Sequence, residues 1–122
     1  MNDENTIDKK FQKELNSGIT ALILLSVLAR SDEPMYGYQI AKLIDTGQED
    51  APRFKQGVLY PVLRSLEKNT LVESSVEPSV SGPPRRYYRV TETGQAAFER
   101  WVILWQQTAD FVDDRLEGES NE

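Results

Sequence analysis

A chain of 122 residues with net charge −6 is about one domain long. It holds no cysteine and no histidine, which excludes disulfides, thiolate or imidazole zinc sites, and every Ser-His or Cys-His nucleophile. The apolar run Ile19–Ala29 is too short to span a bilayer, and the polar, acidic start is not a signal peptide, so a cytoplasmic protein is expected.

The first residues, 1–7, are polar and expected to fray. A helix is expected from about Asp8 to Arg30. Phe11, Leu15, Ile19, Leu22 and Leu25 follow one stripe, and Ile23, Leu24, Val27 and Leu28 widen it. One apolar side can pack on its own domain, and the other calls for a second partner. After a turn at Ser31–Pro34, a second helix is expected from Gly37 to Gly47. Tyr36, Ile40, Leu43 and Ile44 form its buried face, with Gly47 as C-cap. Residues 48–55 read as a polar linker.

The third helix is expected over Gln56–Asn69. Leu59, Val62, Leu63 and Leu66 make one apolar face, and Tyr60, Pro61, Arg64, Ser65 and Lys68 make the other. Pro61 removes a hydrogen bond to the Gly57 carbonyl, so a slight kink is expected there. Two alternating strands follow, about Val72–Glu77 and Arg85–Val90, joined by a Pro/Ser/Gly loop. Thr91 is placed to cap a long last helix running to about Leu116, with Glu92 in its first turn. Phe98, Trp101, Val102, Trp105, Ala109, Val112 and Leu116 form its stripe. The layout is mainly α with a small β-wing: a winged helix-turn-helix over residues 8–90 and a dimerisation helix over 91–116, in one domain 1–122. Asp113, Asp114 and Glu117 read as a solvated face rather than a metal site, and no cofactor is expected.

Charge is unevenly spread. From Arg53 to Val90 there are seven basic residues and three acids, a net +4, while the remainder carries −10. Such asymmetry points to a nucleic-acid face better than the total does. The overall acidity favours a rival reading, a winged-helix protein-interaction module without DNA binding. An enzyme would have to work with carboxylates alone, and no pair stands out.

Tyr36-Gly37-Tyr38-Gln39-Ile40-Ala41, Gly57-Val58-Leu59-Tyr60-Pro61-Val62-Leu63, Leu66-Glu67-Lys68 and the run Gly82 to Gly94 occur in the order and spacing of one family. The chain resembles the PadR transcriptional regulators across about Ile19–Gly94. The resemblance implies a homodimer that binds operator DNA, most often as a repressor, in some members released by a small molecule. The single C-terminal helix is similar to the short subclass, where a tryptophan lines a cavity between subunits. Trp105 matches that tryptophan by position, with Trp101 beside it, which implies a planar hydrophobic effector.

The residues expected on double-stranded DNA are Lys55 just before the third helix, Gln56, Tyr60, Pro61, Arg64 and Lys68 of that helix, and Arg85 and Arg86 of the wing. The operator is expected to be palindromic. Two departures from the family pattern matter. Lys55 replaces the usual serine at the start of the third helix, and Thr70 replaces the usual glycine at its end. Threonine is a poor left-handed residue, so Asn69 is expected to take that conformation instead.

Overall fold

The computed structural model describes residues 2–44 and 56–118. Its elements are α1 (Asn2–Ala29), β1 (Met35–Tyr36), α2 (Gly37–Ile44), α3 (Gln56–Lys68), β2 (Val72–Glu77), β3 (Arg85–Val90) and α4 (Glu92–Glu117). The architecture is mostly helical with a small antiparallel sheet of order β1-β3-β2, a winged helix.

α1 begins at Asn2, six residues before the expected start, so residues 2–7 are helical rather than frayed. Lys9, Lys10, Gln12, Lys13 and Glu14 are strong helix formers, and propensity extends the helix where packing does not. Gln12 Nε2 also donates to Asn16 Oδ1 one turn on, at 2.8 Å. The C-terminal half enters the core: Leu24, Leu25 and Leu28 are fully buried. Buried Thr20 donates its hydroxyl to the Asn16 carbonyl at 2.5 Å, so its burial leaves no unpaired donor. The N-terminal half is not part of the core formed by the described residues. Ile7, Phe11 and Leu15 are exposed, Phe11 at 63%.

α2 is held by Gly37, Ile40, Ala41 and Ile44, which follow one stripe into the core. Leu43, expected in that stripe, is 64% exposed because it falls off the stripe's edge, on the solvent side. Tyr36 is not part of the helix. It belongs to β1, opposite Tyr87, and its backbone N–H donates to Gln39 Oε1 at 3.1 Å, half of a capping box. A two-residue strand is too short to give an alternation signal, so the sequence did not reveal it. The proposed cap at Gly47 and the linker lie outside the described residues.

Leu59, Leu63 and Leu66 of α3 are buried and Val62 packs at their side, as the periodicity required. The helix runs through Pro61. It ends in a Schellman turn. The Leu71 N–H donates to the Leu66 carbonyl at 2.9 Å and the Thr70 N–H to the Glu67 carbonyl at 3.0 Å. The left-handed residue is Thr70, with φ 63°, and not Asn69. The two hydrogen bonds fix which residue must turn, and Leu71 and Leu66 both pack in the core behind it. Moving the turn to Asn69 would shift β2 by one residue and turn Val72 out of the core. Asn69 instead donates Nδ2 to the Ser65 carbonyl at 2.8 Å.

Thr70 therefore carries strain that glycine would not. Thr70→Gly is expected to stabilise the protein by about 1 kcal/mol, a rise of about 3–6 °C in thermal midpoint. Thr70→Ala, which keeps the strain and loses the hydroxyl, is expected to give no gain. Equal midpoints for the glycine and alanine variants would contradict the strain.

β2 and β3 pair from Val72↔Val90 to Glu77↔Arg85. Val72 and Tyr88 face the core, while Glu73 and Arg89 join across the other face through an ion pair of 2.6 Å. Gly82, at φ 101°, turns the loop between the strands, and Val80 stands fully exposed at its tip.

Thr91 is the joint between wing and last helix. Its hydroxyl accepts from the Gly94 N–H at 2.9 Å, capping α4, and donates to the Thr70 carbonyl at 2.6 Å. Its own N–H donates to the Leu71 carbonyl at 3.0 Å. That carbonyl lies where a Gly94 side chain would be. Ala97, Phe98 and Trp101 then pack α4 on the core and α1. Beyond them α4 projects, leaving Ile103, Leu104, Trp105, Phe111, Val112 and Leu116 exposed. Gly118, at φ 81°, closes the helix with its N–H on the Asp114 carbonyl.

Candidate nucleic-acid interface

The outer face of α3 presents Tyr60, Pro61, Arg64, Ser65 and Lys68, all exposed. Burial of Leu59, Leu63 and Leu66 fixes the helix rotation, so these residues are turned away from the core. Among the described residues, no carboxylate lies within ion-pair distance of Arg64, Lys68, Arg85 or Arg86. Four cations are thus left for an external anion. Lys55 and the Gln56 side chain lie outside the described residues.

Tyr60 is anchored as well as exposed. Its ring lies over Gly37 at the start of α2, so that a Cβ on Gly37 would fall 2.6 Å from Tyr60 Cζ. The missing side chain at Gly37 makes the seat for the ring. Sequence reasoning found Tyr60 but not its seat, because the contact joins residues 23 positions apart.

The two wing arginines, adjacent in sequence, point to opposite faces of the hairpin. Arg85 lies over the Tyr36 ring, its guanidinium carbon 4.4 Å from the centroid, and Tyr36 in turn meets Tyr87 edge-on at 5.4 Å. Arg86 turns toward α3. Its Nη1 donates to Ser74 Oγ at 3.0 Å, and Ser74 Oγ donates to Glu67 Oε2 at 2.8 Å. Tyr88 is buried beneath this chain. Burial pushes its hydroxyl above the usual tyrosine range; the Arg86 charge opposes the shift and Glu67 adds to it.

Glu67, Ser74 and Tyr36 were missed by sequence reasoning. The strand pairing could have pointed to Ser74, which sits diagonally from Arg86 on the same face once the hairpin register is known.

Trp101 and Trp105 have separate surroundings. Trp101 packs against the core of its own chain, and Trp105 is 45% exposed one turn further along α4.

Residues 24–100 match the model of the transcriptional regulator PadR-like family. The chain belongs to the PadR family. A PadR family transcriptional regulator from Eggerthella lenta is similar in structure, with a TM-score of 0.80 and 31% identity over 98% of this chain and 100% of that one. A PadR-like transcriptional regulator from Bacillus cereus gives 0.68 and 25%, over 87% and 99%. An uncharacterized protein of Lysinibacillus sphaericus is 30% identical over 96 residues, 79% of this chain and 86% of its own length. PadR membership makes the chain a DNA-binding transcriptional regulator and not an enzyme. Among the described residues, no helix is long and apolar enough to cross a membrane.

Proposed function

We propose that this PadR regulator acts in the cytoplasm as a homodimeric repressor of a palindromic operator, with the whole chain forming one domain and α4 as its dimerisation helix. The cation-bearing outer face of α3, free of any carboxylate partner among the described residues, carries the reading. α3 enters the major groove, where Arg64 or Tyr60 reaches base edges. Lys55, Gln56, Pro61 and Lys68 lie along the same groove, and the lysines hold phosphate. Arg85 and Arg86 hold the backbone on either face of the wing.

The test is a pair of variants on duplexes selected from a random pool. Arg64→Ala is expected to cost about 1–3 kcal/mol on the selected sequence and to relax preference at one base position. Lys68→Ala is expected to weaken all sequences alike and to reduce the salt slope by about one phosphate contact. Parent-like binding by both variants would overturn the assignment of this face.

The exposed apolar stripes of α1 and α4 support dimerisation, since a symmetric partner covers the same patch on each subunit. The exposure of Trp105 supports an effector site between subunits for a planar hydrophobic ligand, relieving repression by favouring a spacing of the two DNA-binding halves that does not fit the operator. Trp101, packed on its own core, borders that site at most. In Trp101→Phe the single remaining indole, Trp105, is expected to emit at blue-shifted wavelength and to be quenched by flat aromatic cations. Solvent-like emission unmoved by a panel of such compounds would remove both the burial and the ligand.

A further inference from the structure

Glu67 is out of place by charge. It lies in the last turn of a helix that presents Arg64 and Lys68, at the edge of a surface read as meeting a polyanion. A bare carboxylate there repels phosphate. Yet Glu67 is half-buried, and its Oε2 is taken up by the Ser74 hydroxyl of β2 at 2.8 Å. Ser74 spends its single proton on Glu67, which leaves its oxygen lone pairs as the seat for Arg86 Nη1 at 3.0 Å. The acceptor that fixes the direction of this chain is thus on α3, and the cation it holds is on β3. Arg86 is otherwise an exposed, rotamer-rich side chain near a Pro/Gly-rich loop, and holding it costs entropy that DNA binding would otherwise have to supply.

We infer that Glu67 is a positioning residue: through Ser74 it holds the Arg86 guanidinium beside α3, so that wing and recognition helix meet the DNA backbone as one pre-set surface. Arg85, resting on Tyr36 across the hairpin, is outside this linkage. The inference rests on the reading of α3 as the recognition helix.

The charge of Glu67 and its linkage predict opposite signs, which makes the test sharp. Operator affinity is measured against salt for Glu67→Ala, Glu67→Gln, Ser74→Ala, Arg86→Ala and the double variant Ser74→Ala/Arg86→Ala. Removing an acid from a DNA face should by itself strengthen binding. The linkage predicts instead that Glu67→Ala and Ser74→Ala each weaken binding by about fivefold and lower the salt slope toward that of Arg86→Ala. Glu67→Gln, whose amide oxygen still accepts from Ser74, is expected to retain the parent slope. Adding Ser74→Ala to Arg86→Ala should cost nothing further.

Tighter binding with an unchanged slope in Glu67→Ala, or additive effects of Ser74→Ala and Arg86→Ala, would overturn the linkage. Arg64→Ala, measured alongside, separates the two levels. A normal loss there with additive wing effects removes the linkage alone. No loss there removes the recognition-helix reading and the linkage with it.

Discussion

Gly94→Ala is expected to lower the thermal midpoint by about 10–20 °C, a large effect for the addition of one methyl group. A Cβ at Gly94 would fall inside contact distance of the Leu71 carbonyl oxygen and 2.8 Å from both the Leu71 carbonyl carbon and Val90 Cγ2. Two of these are backbone atoms, and the Leu71 carbonyl is already fixed by the Thr91 N–H at 3.0 Å. No side-chain rotation relieves the clash. Either α4 moves off the wing or the Thr91 joint opens, at a cost of about 3 kcal/mol or more. Gly18→Ala is the control, since nothing lies within 4 Å of its Cβ position in mid-helix. There a stabilisation of about 0.5–1 kcal/mol is expected. Both are read at one protein concentration, because a dimer's midpoint depends on it. Similar midpoints for the two variants would contradict the close packing of α4 on the α3–β2 connection.

Val112→Asp is expected to convert the proposed dimer to monomer and to lower operator affinity by about 150- to 4000-fold, the effect of an unpaired charge of about 3–5 kcal/mol placed in an apolar interface. Val112 lies among the exposed apolar residues of α4 and away from the core residues Ala97, Phe98 and Trp101. The monomer should therefore keep its helical content, and the loss should appear in sedimentation and DNA binding together. A variant that still sediments as a dimer would move the interface off α4.

How much of the fold and the candidate site was legible before the structure depends on distance along the chain. The α3 face was legible because Leu59, Val62, Leu63 and Leu66 repeat at the helical period, and that period alone decides where Tyr60, Arg64 and Lys68 point. The wing strands were legible from alternation, and the Thr91 cap from its position before an apolar stripe. What failed was tertiary. Thr70 takes the left-handed turn against its own preference because Leu66 and Leu71 must both reach the core. Leu43 is apolar yet outside, and residues 2–6 are polar yet helical. Arg85 and Arg86 looked like one pair, but strand alternation sends one to Tyr36 and the other to Ser74. Gly37 and Gly94 lay within the family motifs, but their roles were not legible, since each makes room for a residue distant along the chain, Tyr60 and Leu71 respectively.

The proposed function has α3 of a symmetric dimer reading DNA. Its most direct test is hydroxyl-radical footprinting of the purified protein on duplexes selected from a random pool, at fixed salt. One dimer per duplex is expected, protecting two inverted copies of one half-site about one helical turn, roughly 34–36 Å, apart. A single unrepeated footprint, or equal binding to every duplex in the pool, would contradict it.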